Sequence, residues 1–179
     1  GLERADIIAT VGGASVGYKD LTWETVKEFG SEVVLRGIKV QPGRVTSMAL
    51  ASHRPIVMLP GHIQSMLVGF YFVLLPIINH MQGLPLSYAA ITIRAMVSQD
   101  IPVKEFKPFK RVRFVKLIEK GEECIAEPLL GDSSLLSIVT KADGFIIIGE
   151  GKELVKKGEL VKVHLVKGLS RLFAPRPGD

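Results

Sequence analysis

The chain is 179 residues long (19.5 kDa), with 47% apolar and 23% charged residues and a formal charge of +5. This composition excludes an intrinsically disordered chain, and the length allows one good core or two small ones. The single cysteine, Cys124, excludes an internal disulfide and a cysteine-rich zinc site.

In chain order, "ADIIATV" is a nearly continuous apolar run ending in glycines, the pattern of a strand buried on both faces of a parallel sheet. "DLTWETVKEFG" predicts a helix, with Asp20 or Thr22 as N-cap, Trp23, Val26 and Phe29 on its apolar face, and Gly30 as its stop. "EVVLRGIKV" returns to strand, which makes a strand, glycine turn, helix, strand unit and points to a parallel α/β layer. Two short strands follow, "VTSMAL" and "PIVMLP", joined by the polar turn "ASHR". A second glycine turn then opens an apolar helix that ends near Gly83. Its longest apolar run, Met66 to Ile78, is shorter than the roughly 17–25 residues that cross a bilayer and carries Gly69 and Pro76, so it reads as a buried helix.

"LPLSYAA" reads as a linker, which sets a boundary between a first domain, 1–85, and a second, 86–179. Beyond it, "AAITIRAMV", "KRVRFVKLIE", "ECIAEPLL", "GFIIIGEG" and "ELVKVHLVKG" are short strand-like runs, the pattern of a small all-β barrel or sandwich. The basic excess sits there: residues 1–86 hold seven Lys/Arg against six Asp/Glu, and residues 87–179 hold sixteen against twelve. No positively charged stretch followed by an apolar core opens the chain, so a cytoplasmic setting is the default expectation.

Candidate chemistry lies in the loops. At the carboxyl end of a parallel strand, Gly12, Gly13 and Gly17 let an anion approach the backbone, and the Ser15 hydroxyl adds a donor; the alternative is a turn that only reverses the chain. The loop has neither a P-loop ending nor dinucleotide spacing. Asp20 is either a divalent-metal ligand or a helix cap. "QPGR" (Gln41 to Arg44) sets a guanidinium after a proline-glycine turn, where it either meets an anion in the same pocket or is solvated. "LPGHIQS" gives another turn before a helix, with Pro60, Gly61 and Ser65, and His62 is the one histidine in a candidate loop. His53, His80 and His164 have no metal-ligand spacing and read as structural or surface residues.

In this order and spacing, "GGASVGYKD", "IKVQPGR" and "PIVMLPGHIQS" resemble the molybdopterin molybdenumtransferase family of the MoeA and gephyrin type, whose pattern runs SGG-x-SVG-x-x-D, KPGKP and LPGNPVSA. "KRVRFVKL", "GDSSLLSIVTKADGFIII" and "KKGELVKV" resemble that family's carboxy-terminal β-barrel domain. The resemblance implies the second half of a parallel-sheet molybdopterin-binding domain followed by a small barrel, with residue 1 in mid-domain and further domains ahead of it. It implies insertion of molybdate, or tungstate, into adenylylated molybdopterin with release of AMP, assisted by Mg²⁺, in a homodimer. Carried over, Gly12, Gly13, Ser15 and Gly17 match the pterin-phosphate loop, and Asp20 its acidic, metal-holding residue. Gln41, Pro42, Gly43 and Arg44 match the second motif, with Asp20 and Arg44 as catalytic candidates. Pro60, Gly61, His62 and Ser65 match the third, and Arg111 and Ser133 match barrel positions facing the cleft. The chain departs from the pattern where Gln41 and Arg44 replace lysines, Val45 a proline, and His62-Ile63 an Asn-Pro pair.

Two other readings compete. A binding or scaffold module would keep the fold without catalysis. Nucleic-acid binding would use the basic stretch Lys104 to Lys116, with Phe106, Phe109 and Phe114 interleaved. Strand alternation there puts Arg111 and Arg113 on a solvated face and Phe114 inward, which disfavours the nucleic-acid reading.

Overall fold

The computed structural model describes residues 3–13, 21–86, 91–103, 108–121, 123–132 and 134–166. It divides into two units, Gly1–Tyr88 with Ser133–Leu135, and Ala89–Asp132 with Leu136–Asp179.

The first unit runs β1 (Ile8–Val11), α1 (Leu21–Glu28), β2 (Glu32–Arg36), β3 (Val40–Gln41), β4 (Ser47–Ala51) and β5 (Arg54–Leu59). A continuous helical stretch follows: α2 (Ile63–Gly69), a π-helical turn (Phe70–Leu74) and α3 (Leu75–Met81). Four strands make one sheet in the order β1-β5-β4-β2. β1 is parallel to β5, while β4 runs antiparallel to both of its neighbours, so the sheet is mixed where the sequence pattern suggested a parallel layer. The turn between β4 and β5 explains this. Ser52 and His53 both adopt positive φ, 50° and 62°, and such a two-residue turn sends the chain straight back, whereas a parallel pair needs a long crossover.

α1 begins at Leu21, so Thr22 lies inside the helix and does not cap it; the other predicted cap, Asp20, lies outside the described residues. The helix stops as expected at Gly30, whose N–H donates to the Lys27 carbonyl at 2.9 Å. Trp23 and Val26 are buried against Ala49, Ala51, Ile56 and Met58, and the Arg36 guanidinium sits 5.4 Å from the centre of the Trp23 ring. Phe29 is 62% exposed, against the prediction. It follows the last helical residue, Glu28, so the helical period no longer fixes its direction.

β1 also differs from expectation: its residues alternate between half-buried and exposed, because it is the end strand of the sheet among the described residues. The helix over Ile63–Met81 has 19 residues and a mean hydropathy of 1.5, long and apolar enough by length and composition to cross a membrane. Val73 and Leu74 pack it against Val57 and Leu59 of β5. Pro76 has no N–H to donate, and the helix takes the wider π register in the turn before it.

The second unit runs β6 (Thr92–Val97), β7 (Ile101–Pro102), β8 (Lys110–Lys120), β9 (Glu123–Pro128), α4 (Leu136–Lys141), β10 (Gly144–Ile148), β11 (Leu154–Val155) and β12 (Leu160–Leu165). β10, β12, β6, β9 and β8 pair in that order, and β10 also pairs with β8, which closes the barrel. β6 and β9 are parallel; the other pairs are antiparallel. The fold is therefore an α/β unit followed by a small closed β-barrel. Alternate residues point inward and make its core, including Ala95, Val97, Val115, Leu117, Ala126, Ile146, Ile148 and Val163. On the opposite face of these strands Phe114 meets Phe145 edge to face, ring centres 6.2 Å apart, and Phe145 stacks on His164 at 5.2 Å.

Candidate functional site

Three loops of the first unit meet around one cavity of about 350 Å³. The β1–α1 loop contributes Gly12 and Gly13; the segment from β3 to β4 contributes Gln41, Gly43, Arg44 and Val45; the β5–α2 loop contributes Pro60, Gly61, His62 and Ser65. β1 and β5 are parallel neighbours, so their carboxyl ends lie at the same rim. The two loops that leave them are also tied together. Gly12 donates its N–H to the Leu59 carbonyl at 2.9 Å, and a Cβ on Gly61 would stand 3.6 Å from the Gly12 Cα. Gly12 has φ +84°, a left-handed conformation that other residues rarely adopt.

No carboxylate is among the described lining residues, and Arg44 carries their formal positive charge. Arg44 and His62 are exposed and Ser65 is buried. His62 is the N-cap residue of α2 and makes no capping hydrogen bond through its side chain. Ser65 lies within the helix and so is not its cap. The Gln41–Pro42 peptide is cis, Pro42 is buried, and the Gln41 Oε1 is buried with no hydrogen-bond partner among the described residues. A concave rim of close-packed glycine backbone with one guanidinium suits an oxyanion.

Ser15, Gly17, Asp20 and Ser133 lie outside the described residues. No group of three His, Cys, Asp or Glu that could hold a metal ion occurs among the described residues. A larger groove of about 1000 Å³, between β1, β5 and α1, is lined by Ile8, Thr10, Val26, Phe29 and Ile56 among others, and none of the loop residues above is part of it.

In the second unit Arg111 is buried, which corrects the expectation of a solvated Arg111–Arg113 face. Both arginines share the β8 face that carries Val115 and Leu117 into the barrel core, opposite Ile148 and Ile146 of β10. Burial, and then the charge of Arg111, lower the proton affinity of Arg113. Among its described residues, 108–116, the basic stretch has Lys110 and Lys116 exposed and Arg111 buried between them, which is not a continuous exposed stripe of the kind that follows a nucleic-acid backbone. Phe114 is buried, as expected. His164, read as an ordinary structural residue, stacks on Phe145, and burial, then Lys162, hold its pKa below the usual range. Sequence reasoning noted Val45 only as a departure from the motif, although it lines the cavity, and missed Thr46, which is fully buried and holds the Arg44 loop through its hydroxyl. A threonine next to a motif carries no sign of that in sequence.

Two family descriptions match the chain: probable molybdopterin binding domain over residues 1–80, and MoeA C-terminal region (domain IV) over residues 99–166. The molybdopterin molybdenumtransferase of Bacillus subtilis is 29% identical over 171 residues, 93% of this chain and 38% of the relative. That of Staphylococcus epidermidis is 26% identical over 170 residues, 94% of this chain and 40% of the relative. The crystal structure of the molybdopterin biosynthesis MoeA protein from Pyrococcus horikosii superposes with a TM-score of 0.76 at 29% identity, covering 93% of this chain and 39% of that one. The chain belongs to the MoeA family and corresponds to its carboxy-terminal portion. It spans well under half the length of the curated relatives it matches.

Proposed function

We propose that the chain is the carboxy-terminal part of a molybdenum-cofactor biosynthesis enzyme, with residues 1–85 completing a molybdopterin-binding domain and 86–179 forming the barrel domain. In this reading the cavity takes the phosphate end of adenylylated molybdopterin, and molybdate, or tungstate, enters the dithiolene as AMP leaves. Arg44 binds and orients the phosphate, the glycine turns let it approach the backbone, and Ser65 offers a hydroxyl. Ser15 and Gly17 extend the phosphate loop, and Asp20 is the ligand for Mg²⁺. Homodimerisation and a cytoplasmic location belong to the same reading.

The observation that carries it is the convergence of three glycine loops on one cavity whose described lining holds Arg44 and no carboxylate. At about 350 Å³ the cavity lies near the lower end of small-molecule sites, roughly 300–1,000 Å³, so it admits one end of so large a substrate and leaves the rest to other surfaces. For that reason the 179-residue chain is expected to bind adenylylated molybdopterin without converting it. Calorimetric titration with that substrate tests binding, and Arg44→Gln is expected to weaken it about tenfold, the loss of one charged hydrogen bond to phosphate. Unchanged affinity in Arg44→Gln would sink the assignment. AMP release from the 179-residue chain on adding molybdate and Mg²⁺ would overturn the expected inactivity.

The second reading, a non-catalytic module, is favoured by the uncharged Gln41 in place of a lysine and by His62-Ile63 in place of Asn-Pro. Its mark is a full-length protein that binds adenylylated molybdopterin and never releases AMP when molybdate and Mg²⁺ are supplied.

A further inference from the structure

Arg44 lies between the end of β3 and the start of β4, so contacts on either side must set its place in the cavity. Both peptide planes that flank it are held. Its own carbonyl accepts the Ile38 N–H at 2.9 Å, and Gly37 packs so closely that a Cβ there would stand 2.8 Å from the same oxygen. On the other side the Gly43 carbonyl accepts two donors from one residue, the Thr46 N–H at 2.9 Å and the Thr46 hydroxyl at 2.7 Å.

Thr46 is itself wedged in place. It is fully buried, and a Cβ on Gly69 of α2 would lie 2.6 Å from its Oγ1. Gly43, at φ +110°, presses on the same helix: a Cβ there would stand 3.0 Å from Val68 Cγ1 and 3.3 Å from the Ser65 carbonyl. The loop bearing Arg44 and the helix bearing Ser65 thus approach so closely that neither Gly43 nor Gly69 has room for a side chain, and the Thr46 hydroxyl faces Gly69.

We infer that Thr46 is a positioning residue for Arg44: its hydroxyl fixes the Gly43–Arg44 peptide and so the direction from which the guanidinium meets an oxyanion. The inference rests on the anion reading of the cavity. A pre-oriented guanidinium loses less side-chain freedom on binding, so deleting a hydroxyl that never touches the ligand weakens binding through Arg44 alone.

The test is a double-mutant cycle on the 179-residue chain, read as affinity for inorganic pyrophosphate. Thr46→Val keeps the shape and removes the donor, while the Gly43 carbonyl retains the backbone N–H of residue 46. It is expected to weaken binding about fivefold, near the worth of one hydrogen bond, with Thr46→Ser within about twofold of the parent. In the Arg44→Gln background, Thr46→Val is expected to change nothing further. If Thr46→Val does not fold by circular dichroism, Thr46→Ala removes the same donor with less bulk and the same cycle is read on it. Weakening equal in both backgrounds, or none beside a weakened Arg44→Gln, overturns the positioning role alone. A parent chain with no pyrophosphate affinity overturns the anion reading and this inference with it.

Discussion

Arg44 and Arg111 both stand at motif positions, yet their surroundings differ. Arg44 is exposed at a cavity rim that has no carboxylate among its described residues, whereas Arg111 is buried on the face of β8 that leads into the barrel core. His164 offers a sharper case, because its environment shifts a proton equilibrium. Its folded-state pKa lies below the ordinary value, so the folded protein resists protonation that the unfolded chain accepts near pH 6.5. Stability is then complete above about pH 6.5 and declines as pH falls from there through the depressed folded value, where the unfolded state binds the extra proton. Thermal melts between about pH 7.5 and 5 should show this decline, with a shallower slope in His164→Gln. Equal slopes would mean that the imidazole beside Phe145 is readily protonated in the fold.

Among the elements, what was legible in sequence depended on length. The five barrel strands match the predicted runs, β8 extending one residue beyond its run to Lys120, because each is long enough to show alternation or a sustained apolar core. The two-residue strands β3, β7 and β11, and the six-residue helix α4, are too short to establish a period, and their existence depends on tertiary partners. The cavity loops were legible because glycine and proline mark turns; what fixes Arg44 was not, because Thr46 acquires its role only when Gly69 approaches from another element. The same dependence on context separates the aromatics of α1. Trp23, buried beneath Arg36, is expected to cost about 3–5 kcal/mol when replaced by alanine, and exposed Phe29 less than about 0.5 kcal/mol. Urea midpoints of Trp23→Ala and Phe29→Ala measure the difference, and comparable losses would show that Phe29 packs against something.

Among the described residues, buried apolar clusters lie inside the barrel and against the mixed sheet, and the described lining of the cavity comes from the first unit. A lesion in the barrel core should be felt in stability. Ile146→Ala, at a fully buried position, is expected to cost about 2–5 kcal/mol in denaturant unfolding. An unfolding midpoint equal to the parent's would show that Ile146 does not carry the barrel core.

β1 has a further practical consequence. One side of this strand is paired with β5, and among the described residues its other side offers unmatched amide and carbonyl groups, beside a Val11 that is 63% exposed. At the far edge of the sheet, β2 carries an irregularity between Val33 and Leu35 that disrupts such templating; β1 has no comparable guard. Handled as 179 residues in concentrated solution, the chain is therefore prone to stack edge to edge, and a thioflavin signal that grows with concentration and vanishes on Ala9→Pro would trace the association to this strand.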